Sequence, residues 1–150
     1  MTQNIQDIMS ENCQWGARNM TVAEAAKLMQ QNDFGFLPVG CTEQDKLVGT
    51  VTDRDITINC VAQGKNPAET RLDDIMTEKL YYCYSDQPVQ EVCDNMAKIR
   101  VRRLPVVNRD KRLVGVVSFG DVAQAAAQNE VGQTQALITR ECATRTQQAA

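Results

Sequence analysis

The sequence predicts an α/β fold made of two copies of one β-α-β-β-α unit. Two observations predict it: short motifs recur in the same order along the chain, and helical and strand-like patterns alternate within each copy. Of the 150 residues, 43% are apolar and 23% are charged, as is typical of a chain with a packed core. A single copy of about 60 residues is marginal in stability, so we expect both copies to pack as one pseudo-twofold module.

The repeat is defined by motifs that return at a nearly constant distance. Asp-Ile-Met-Ser-Glu at residues 7–11 reappears 67 positions later as Asp-Ile-Met-Thr-Glu, and Leu-Pro-Val at 37–39 reappears at 104–106. Leu-Val-Gly at 47–49 then matches 113–115 at an offset of 66. The missing residue falls where each copy is predicted to turn, and turns tolerate a change of length that strands do not.

Each copy is predicted to contain the same elements in the same order. Thr21 followed by Glu24 has the form of a capping box, and apolar residues then recur at helical spacing. Pro88 suits the first turn of the equivalent helix. The predicted elements are leading strands near 12–17 and 80–84, helices over 21–32 and 88–99, strand pairs 36–39 with 46–51 and 103–107 with 112–117, and closing helices over 52–62 and 118–128.

These elements divide the chain into three predicted segments. The first repeat covers residues 5–65, and the second covers 72–128. A linker containing Gly64 and Pro67 joins them. Residues 129–150 lack a strong apolar stripe, so we expect a loose helix and a frayed tail there.

Composition excludes several classes of function. The net charge of −3 argues against a general phosphate-backbone binder, so no nucleic-acid partner is predicted. No apolar run approaches about 18 residues, so no membrane span is predicted. The first residues show neither a basic start nor an apolar run, and we therefore expect a cytoplasmic protein without an export signal.

The cysteine and histidine content further limits the kinds of catalytic and metal site that are predicted. The six cysteines are scattered with no CxxC pair, so free thiols in or near the core are favoured over a disulfide framework or a zinc site. The chain contains no histidine, which removes the commonest general acid/base and every Ser-His-Asp or Cys-His nucleophile system. Neither a catalytic site nor a metal site is predicted.

Each copy ends its second strand with Thr/Ser-x-x-Asp. We call this motif the Thr/Ser-x-x-Asp step. It comprises Thr52 and Asp55 in the first copy, and Ser118 and Asp121 in the second. The simplest interpretation is a helix N-cap followed by a carboxylate that is favourable toward the helix dipole. The same geometry suits a ligand, because a hydroxyl and free N–H groups at a helix start attract phosphate and a carboxylate one turn later accepts hydrogen bonds from a ribose diol. The two interpretations are compatible.

In this order and in duplicate, the motifs resemble a pair of cystathionine-β-synthase (CBS) domains, known as a Bateman module. The resemblance covers about residues 5–128 and is strongest to small stand-alone bacterial CBS-pair proteins such as the hypoxic-response type. It implies a cleft between the two units that binds AMP, ADP or ATP, sometimes S-adenosylmethionine or NAD, and a flat, disc-like homodimer of modules. By motif position, the ribose-binding aspartate corresponds to Asp55 and Asp121, and the phosphate-side hydroxyl to Thr52 and Ser118.

The two copies differ just before Leu-Pro-Val, where the family often carries His or Arg aimed at phosphates. The first copy has Gly35-Phe36 and the second has Arg102-Arg103. A solvated strand edge protected by cations and a phosphate contact are both open interpretations of the arginines. Strand alternation turns them to opposite faces, and we favour Arg103 for the ligand. In the first copy, Arg54 is the candidate for this role.

Further candidate residues lie beside these steps. Thr77 follows Ile-Met and, as matching positions do in the family, is expected to border a cleft. Tyr82 and Cys83 precede the second copy's first helix, where strand packing and an aromatic wall for adenine are alternatives. Gly49 and Gly115 remove a side chain where a flat base can approach the backbone.

The predicted function is a regulatory module that senses an adenosine-containing nucleotide and signals through dimerisation or an unidentified protein partner. A dimerising interaction scaffold that binds no nucleotide is the main alternative, and the six thiols leave a redox sensor open. An enzyme is not predicted, because the repeats take up nearly the whole chain and no Walker-type loop occurs. No cofactor is expected to be required.

Overall fold

The computed structural model describes residues 3–11, 14–41 and 46–129. These residues form two compact units. The first-copy unit contains the described residues of 12–81 together with 110–113, and the second-copy unit contains those of 1–11, 82–109 and 114–150. The predicted turn at 42–45 and the predicted C-terminal helix and tail beyond residue 129 lie outside the described residues.

The first-copy unit has a three-stranded sheet in the order β1-β2-β3, with β1 parallel and β3 antiparallel to β2. Leu37 faces Val51 across the antiparallel pair, and both are fully buried. The elements are β1 (Gly16–Ala17), α1 (Val22–Asn32), β2 (Phe36–Cys41), β3 (Lys46–Thr52), α2 (Asp53–Ile56), a π-helical turn (Thr57–Val61) and α3 (Leu72–Ile75). The order of elements confirms the predicted β-α-β-β-α unit.

Helix α1 begins and ends as its sequence dictates. The Glu24 N–H donates to Thr21 Oγ1 at 3.2 Å, and the Thr21 N–H donates to Glu24 Oε2 at 2.9 Å, so the predicted capping box is confirmed. The helix stops at Asp33, which adopts the left-handed conformation at φ 53°. The buried face of the helix, including Val22 and Ala25, packs into the core of this unit.

The second-copy unit repeats the plan with a sheet ordered β4-β5-β6. Its elements are β4 (Cys83–Tyr84), α4 (Val89–Ile99), β5 (Arg103–Val107), β6 (Leu113–Ser118) and α5 (Phe119–Asn129). Pro88 is the N-cap of α4, one residue before the first turn in which it was expected. A left-handed Arg100 ends that helix at φ 62°, as Asp33 ends α1. The α/β fold class is therefore confirmed in both units.

The Ile-Met-(Ser/Thr) segments pair with the sheet of the other copy. Ser10 exchanges backbone hydrogen bonds with Val116 of β6 at 3.0 and 3.1 Å. Thr77 exchanges them with Thr50 of β3 at 2.9 and 3.0 Å. The segment that opens the first repeat thus completes the second-copy unit, and the segment that opens the second repeat completes the first-copy unit.

The predicted linker forms turns that are hydrogen-bonded to helix α1. The Thr70 hydroxyl donates to the Asn66 carbonyl at 2.8 Å, and Thr70 is 8% exposed. Its carbonyl accepts the Val22 N–H at 2.8 Å, and the Pro67 carbonyl accepts the Ala23 N–H at 3.0 Å. These bonds satisfy orphan N–H groups in the first turn of α1, so the linker contributes to the start of that helix.

The described cysteines match the prediction of thiols in or near the core. Cys60, Cys83 and Cys93 are buried, and Cys41 is partly buried. The remaining two cysteines of the sequence lie outside the described residues. No helix in the described part of the chain is both long and apolar enough to cross a membrane.

Candidate functional site

The first-copy step lies at the junction where β3 ends and α2 begins. The Asp55 N–H donates to Thr52 Oγ1 at 3.0 Å, and the Thr52 N–H donates to Asp55 Oδ2 at 2.9 Å. Both residues are half-buried. The Thr52 N–H thus takes one of the carboxylate's roughly four acceptor positions, which leaves about three for further donors such as a ribose diol.

The second-copy step shares the hydrogen bond from the aspartate N–H to the hydroxyl. β6 ends at Ser118, and the Asp121 N–H donates to Ser118 Oγ at 3.1 Å in the first turn of α5. Ser118 is half-buried, and Asp121 is exposed. The predicted hydroxyl-and-carboxylate steps are therefore formed at equivalent places in both units.

Thr77 lies in the first-copy unit through its pairing with β3. A Cβ on Gly49 would lie 2.7 Å from Met76 Sδ and 2.9 Å from the Thr77 carbonyl oxygen. The expectation that Gly49 leaves room for a ligand base needs correction, because the backbone of the protein's own Met-Thr segment occupies that space. In the second copy, a Cβ on Gly115 would lie 2.8 Å from the Ser10 carbonyl oxygen.

Beside each Thr/Ser-x-x-Asp step, a backbone hydrogen bond joins two residues that we call the corner. The charged residue of the corner differs between the copies. In the first copy, the Asp53 N–H donates to the Gly35 carbonyl at 2.9 Å, and a Cβ on Gly35 would lie 2.7 Å from Asp53 Oδ2. In the second copy, the Phe119 N–H donates to the Arg102 carbonyl at 2.6 Å. Phe119 is 5% exposed, so its side chain belongs to the core and not to the corner.

The arginines predicted for phosphate contact occupy different positions. Arg103 is the first residue of β5, and Arg102 precedes the strand and is bonded to the start of α5 through its carbonyl. Both side chains are exposed. The backbone of Arg102 is thus bonded to the residue after Ser118, and the preference for Arg103 as the phosphate contact stays a prediction. Arg54, the first-copy candidate, is also exposed.

Another arginine of the basic stretch has partners within the protein. Arg109 donates to both carboxylate oxygens of Asp86, at 2.8 and 2.7 Å, and its guanidinium lies 4.2 Å from the centre of the Tyr84 ring. The Arg109 hydrogen bond lowers the pKa of the Asp86 carboxyl, and the same bond raises the pKa of the Arg109 guanidinium. Bidentate geometry and ring stacking hold this side chain on the surface of the second-copy unit.

Tyr82 and Cys83 differ in what they can offer a ligand. Tyr82 is 36% exposed and contacts Tyr84 edge-to-face, with 5.7 Å between the ring centres. Cys83 is 3% exposed, and its Sγ lies 3.9 Å from the Pro105 carbonyl oxygen. Burial raises the pKa of the Cys83 thiol to about 12. An adenine wall at this place would therefore present the tyrosine ring and not the thiol.

The predicted residues are divided between the two units. The first-copy unit holds Thr52, Asp55 and Thr77, and the second-copy unit holds Tyr82, Cys83, Arg102, Arg103, Ser118 and Asp121. Asp53, as a neighbour of Gly35, is not among the residues predicted from the sequence. The signal was present in the alignment of the repeats, which places Asp53 opposite Phe119 and Gly35 opposite Arg102. Within residues 3–11, 14–41 and 46–129, no group of three His, Cys, Asp or Glu side chains is placed to hold a metal ion.

The fold and the doubled step define a tandem of small α/β domains. A family model described as CBS domain matches residues 5–60 and again 72–128, so the chain belongs to the CBS domain family and carries the domain twice. The sequence is 33% identical to Hypoxic response protein 1 of Mycobacterium tuberculosis (strain CDC 1551 / Oshkosh) over 127 residues, which are 85% of this chain and 87% of that protein.

Solved structures agree with this assignment. The structure of Hypoxic Response Protein I with two coordinated zinc ions is 33% identical, covers 81% of this chain and 98% of that one, and has a TM-score of 0.72. The CBS domain pair of protein MJ0100, in complex with 5′-methylthioadenosine and S-adenosyl-L-methionine, is 28% identical at a TM-score of 0.73 and covers 87% and 100% of the two chains. CBSX2 in complex with AMP is 25% identical at a TM-score of 0.69 and covers 84% and 97%.

Proposed function

We propose that this protein is a regulatory module that binds an adenosine-containing ligand, such as AMP, ADP or ATP, at its Thr/Ser-x-x-Asp steps. Asp55 and Asp121 accept hydrogen bonds from the ribose, and Thr52 and Ser118 lie on the phosphate side. Binding is passed on through a homodimer or to a protein partner in the cytoplasm. The ligand acts by favouring one conformation of the module over another, and no bond is made or broken.

The observation that carries this proposal is the duplicated step. In each copy, a backbone N–H of the aspartate is held on the hydroxyl of the preceding Thr or Ser, at 3.0 Å for Asp55 and 3.1 Å for Asp121. This fixes a hydroxyl and a carboxylate one helical turn apart at a strand end, which is an arrangement suited to a sugar and an anion. The adenosine compounds bound to two similar CBS pairs support the same ligand class.

Thermal denaturation with a panel of adenosine compounds tests the proposal. Millimolar AMP or ATP is expected to raise the melting temperature, because a ligand that binds only the folded state stabilises it. Asp121→Ala is expected to reduce the shift more than Asp55→Ala, since the second copy carries Arg102 and Arg103 beside its step. Guanosine and uridine monophosphates are the matched controls. A melting temperature that no adenosine compound changes contradicts the proposal.

A dimerising scaffold that binds no nucleotide is the second candidate. Ile58 and Val61, which follow the Thr52 step in the π-helical turn, are 42% and 61% exposed. Exposed apolar residues on one short helical segment favour a contact with another protein surface. A flat denaturation panel, together with a dimer that Ile58→Asp converts to a monomer, would support this candidate over nucleotide sensing.

A further inference from the structure

Helices α1 and α4 end with the same backbone geometry and with different side chains. Asp33 and Arg100 are both left-handed, and their N–H groups donate to the carbonyls of Met29 and Met96. The residues that close the helix are Gln31-Asn32-Asp33 in the first copy and Lys98-Ile99-Arg100 in the second. Cations are favourable at the C-terminal end of a helix. Because α1 ends in the same way without one, the backbone turn does not require the two cations of α4.

Ile99 is the residue of this end that the fold explains least. At the equivalent position of the first copy, Asn32 Nδ2 donates to the Leu28 carbonyl at 2.9 Å and so adds a hydrogen bond to the last turn of α1. An isoleucine has no such donor, and Ile99 is 37% exposed. Covering this side chain with apolar atoms of another molecule would remove its surface from water, which is favourable.

The charges around Ile99 are all positive. Exposed cations occupy four of the six residues 98–103, namely Lys98, Arg100, Arg102 and Arg103. Among the residues that the structure describes, none of these four forms an ion pair. The equivalent residues 31–36 of the first copy contain no cation and one acid, Asp33. The second copy therefore presents unneutralised positive charge at a place where the first copy does not.

We propose that the end of α4 formed by Lys98, Ile99 and Arg100, the basic helix end, docks a short acidic segment of another protein. The carboxylates of that segment pair with the two cations, and an aliphatic side chain between them covers Ile99. Arginine beside an apolar residue and within a polar rim is typical of protein interfaces. The docking surface goes beyond the proposed function, which leaves the protein partner and its surface unnamed, and it does not depend on a bound nucleotide.

The distribution of charge favours an acidic protein segment over a nucleic acid. Glu91 and Asp94 are exposed on α4, one to two turns before Lys98, so a long polyanion along this helix would meet carboxylates. Helix α5, which packs against α4, adds one acid, Asp121, and no cation. The net charge of −3 also opposes long-range attraction of a polyanion. A short segment contacts only the last turn of α4 and avoids these acids.

An NMR titration of the isotopically labelled protein with the capped peptide Glu-Asp-Leu-Asp-Glu tests the proposal. Saturable shifts of backbone amides are expected at residues 97–101, and the neutral peptide Gln-Asn-Leu-Asn-Gln is expected to cause none. Lys98→Gln combined with Arg100→Gln is expected to weaken the acidic peptide at least about fivefold, and raising the salt from about 0.05 to about 0.5 M is expected to weaken it as well. Ile99→Asn, which installs the residue of the first copy, is expected to weaken it at least about threefold.

The matched control is Lys27→Gln combined with Lys65→Gln, which removes two exposed cations of the first-copy unit and is expected to leave the affinity unchanged. The proposal is overturned if millimolar peptide causes no saturable shift, or if the Lys98/Arg100 double variant binds as tightly as the wild type. It is also overturned if a single-stranded oligonucleotide of equal charge binds the same residues more tightly than the peptide. Lys98 and Arg100 lie outside both Thr/Ser-x-x-Asp steps, so a failure of nucleotide binding leaves the peptide result standing, and the two proposals fail separately.

Discussion

Cys83 shows how burial changes the chemistry of a single residue. The thiol lies in β4 with 3% of the residue exposed, and burial raises its pKa to about 12. A thiol that stays protonated near neutral pH is a poor nucleophile and a poor target for oxidation. The six thiols of the sequence are compatible with a redox sensor, and for Cys83 the burial of the thiol argues against that role.

The raised pKa of Cys83 predicts a loss of stability in alkali. Above pH 9, where a thiol in the unfolded chain ionises, the folded protein retains its proton up to about pH 12. The unfolded state then binds fewer protons than the folded state, so the free energy of unfolding falls by up to about 1.4 kcal/mol per pH unit across that window. Urea denaturation at pH 7.5 and 10.5 is expected to show a drop in the wild type that exceeds the drop in Cys83→Ala by about 1–2 kcal/mol.

The control for this measurement is Cys41→Ala, at a partly buried position in β2. It is expected to keep the wild-type difference between the two pH values. Equal losses in the wild type and in Cys83→Ala would show that the buried thiol does not carry the effect.

At the scale of elements, local signals in the sequence predicted most of the fold. The Thr21–Glu24 capping box and the strand over 103–107 were placed where the structure has them, because caps and alternating apolar patterns act over a few residues. The closing helix of the first copy was predicted as one helix over 52–62, and the structure divides it into α2 and the π-helical turn Thr57–Val61. A change of helix type has no local signature as strong as a proline or a cap.

Strand β6 lies close to the segment Met9-Ser10, so the effect of an added methyl group can be tested at two glycines. A methyl group on Gly115 would lie 2.8 Å from the Ser10 carbonyl oxygen, so Gly115→Ala must displace the paired backbone. We expect it to lower the free energy of unfolding by about 1–3 kcal/mol, as overpacking does. Chemical denaturation monitored by circular dichroism measures the change.

Gly120→Ala is the matched control in the same unit. The nearest atom to its added methyl group is Ser118 Oγ at 3.8 Å, which is ordinary contact, and the residue lies in α5. Alanine in a helix is expected to be neutral or stabilising by up to about 1 kcal/mol relative to glycine. The packing argument would be contradicted if the two substitutions had the same effect.

At the scale of the whole molecule, the feature that sequence reasoning missed is the exchange of the opening segments. The repeats are contiguous in sequence, and the predicted limits of 5–65 and 72–128 followed them. The opening segments pair with the sheet of the other copy, since Ser10 pairs with Val116 and Thr77 pairs with Thr50. Two segments with nearly the same sequence fit either sheet, so composition and periodicity cannot assign them. The candidate site is affected too, because this pairing places Thr77 beside Thr50, two residues before Thr52 on β3.

The exchange predicts which unit each segment stabilises. Ile5 and Leu72 are equivalent in the repeat and are both fully buried. The Ile5 N–H donates to the Gln87 carbonyl at 3.0 Å in the second-copy unit, and the Leu72 N–H donates to the Met20 carbonyl at 2.9 Å in the first-copy unit. Truncating either side chain to alanine is expected to cost about 2–5 kcal/mol through lost burial and a residual cavity.

Amide hydrogen exchange read by mass spectrometry distinguishes the two losses by location. Ile5→Ala is expected to speed exchange in α4 and α5 of the second copy, although residue 5 opens the first repeat. Leu72→Ala is expected to speed exchange in α1 and β2 of the first copy. Ile99→Ala, at a side chain that is 37% exposed, is the control and is expected to change exchange little in either copy. Faster amide hydrogen exchange in α1 on replacing Ile5 would mean that the opening segment stabilises its own repeat. The pairing of each opening segment with the sheet of the other copy would then be wrong.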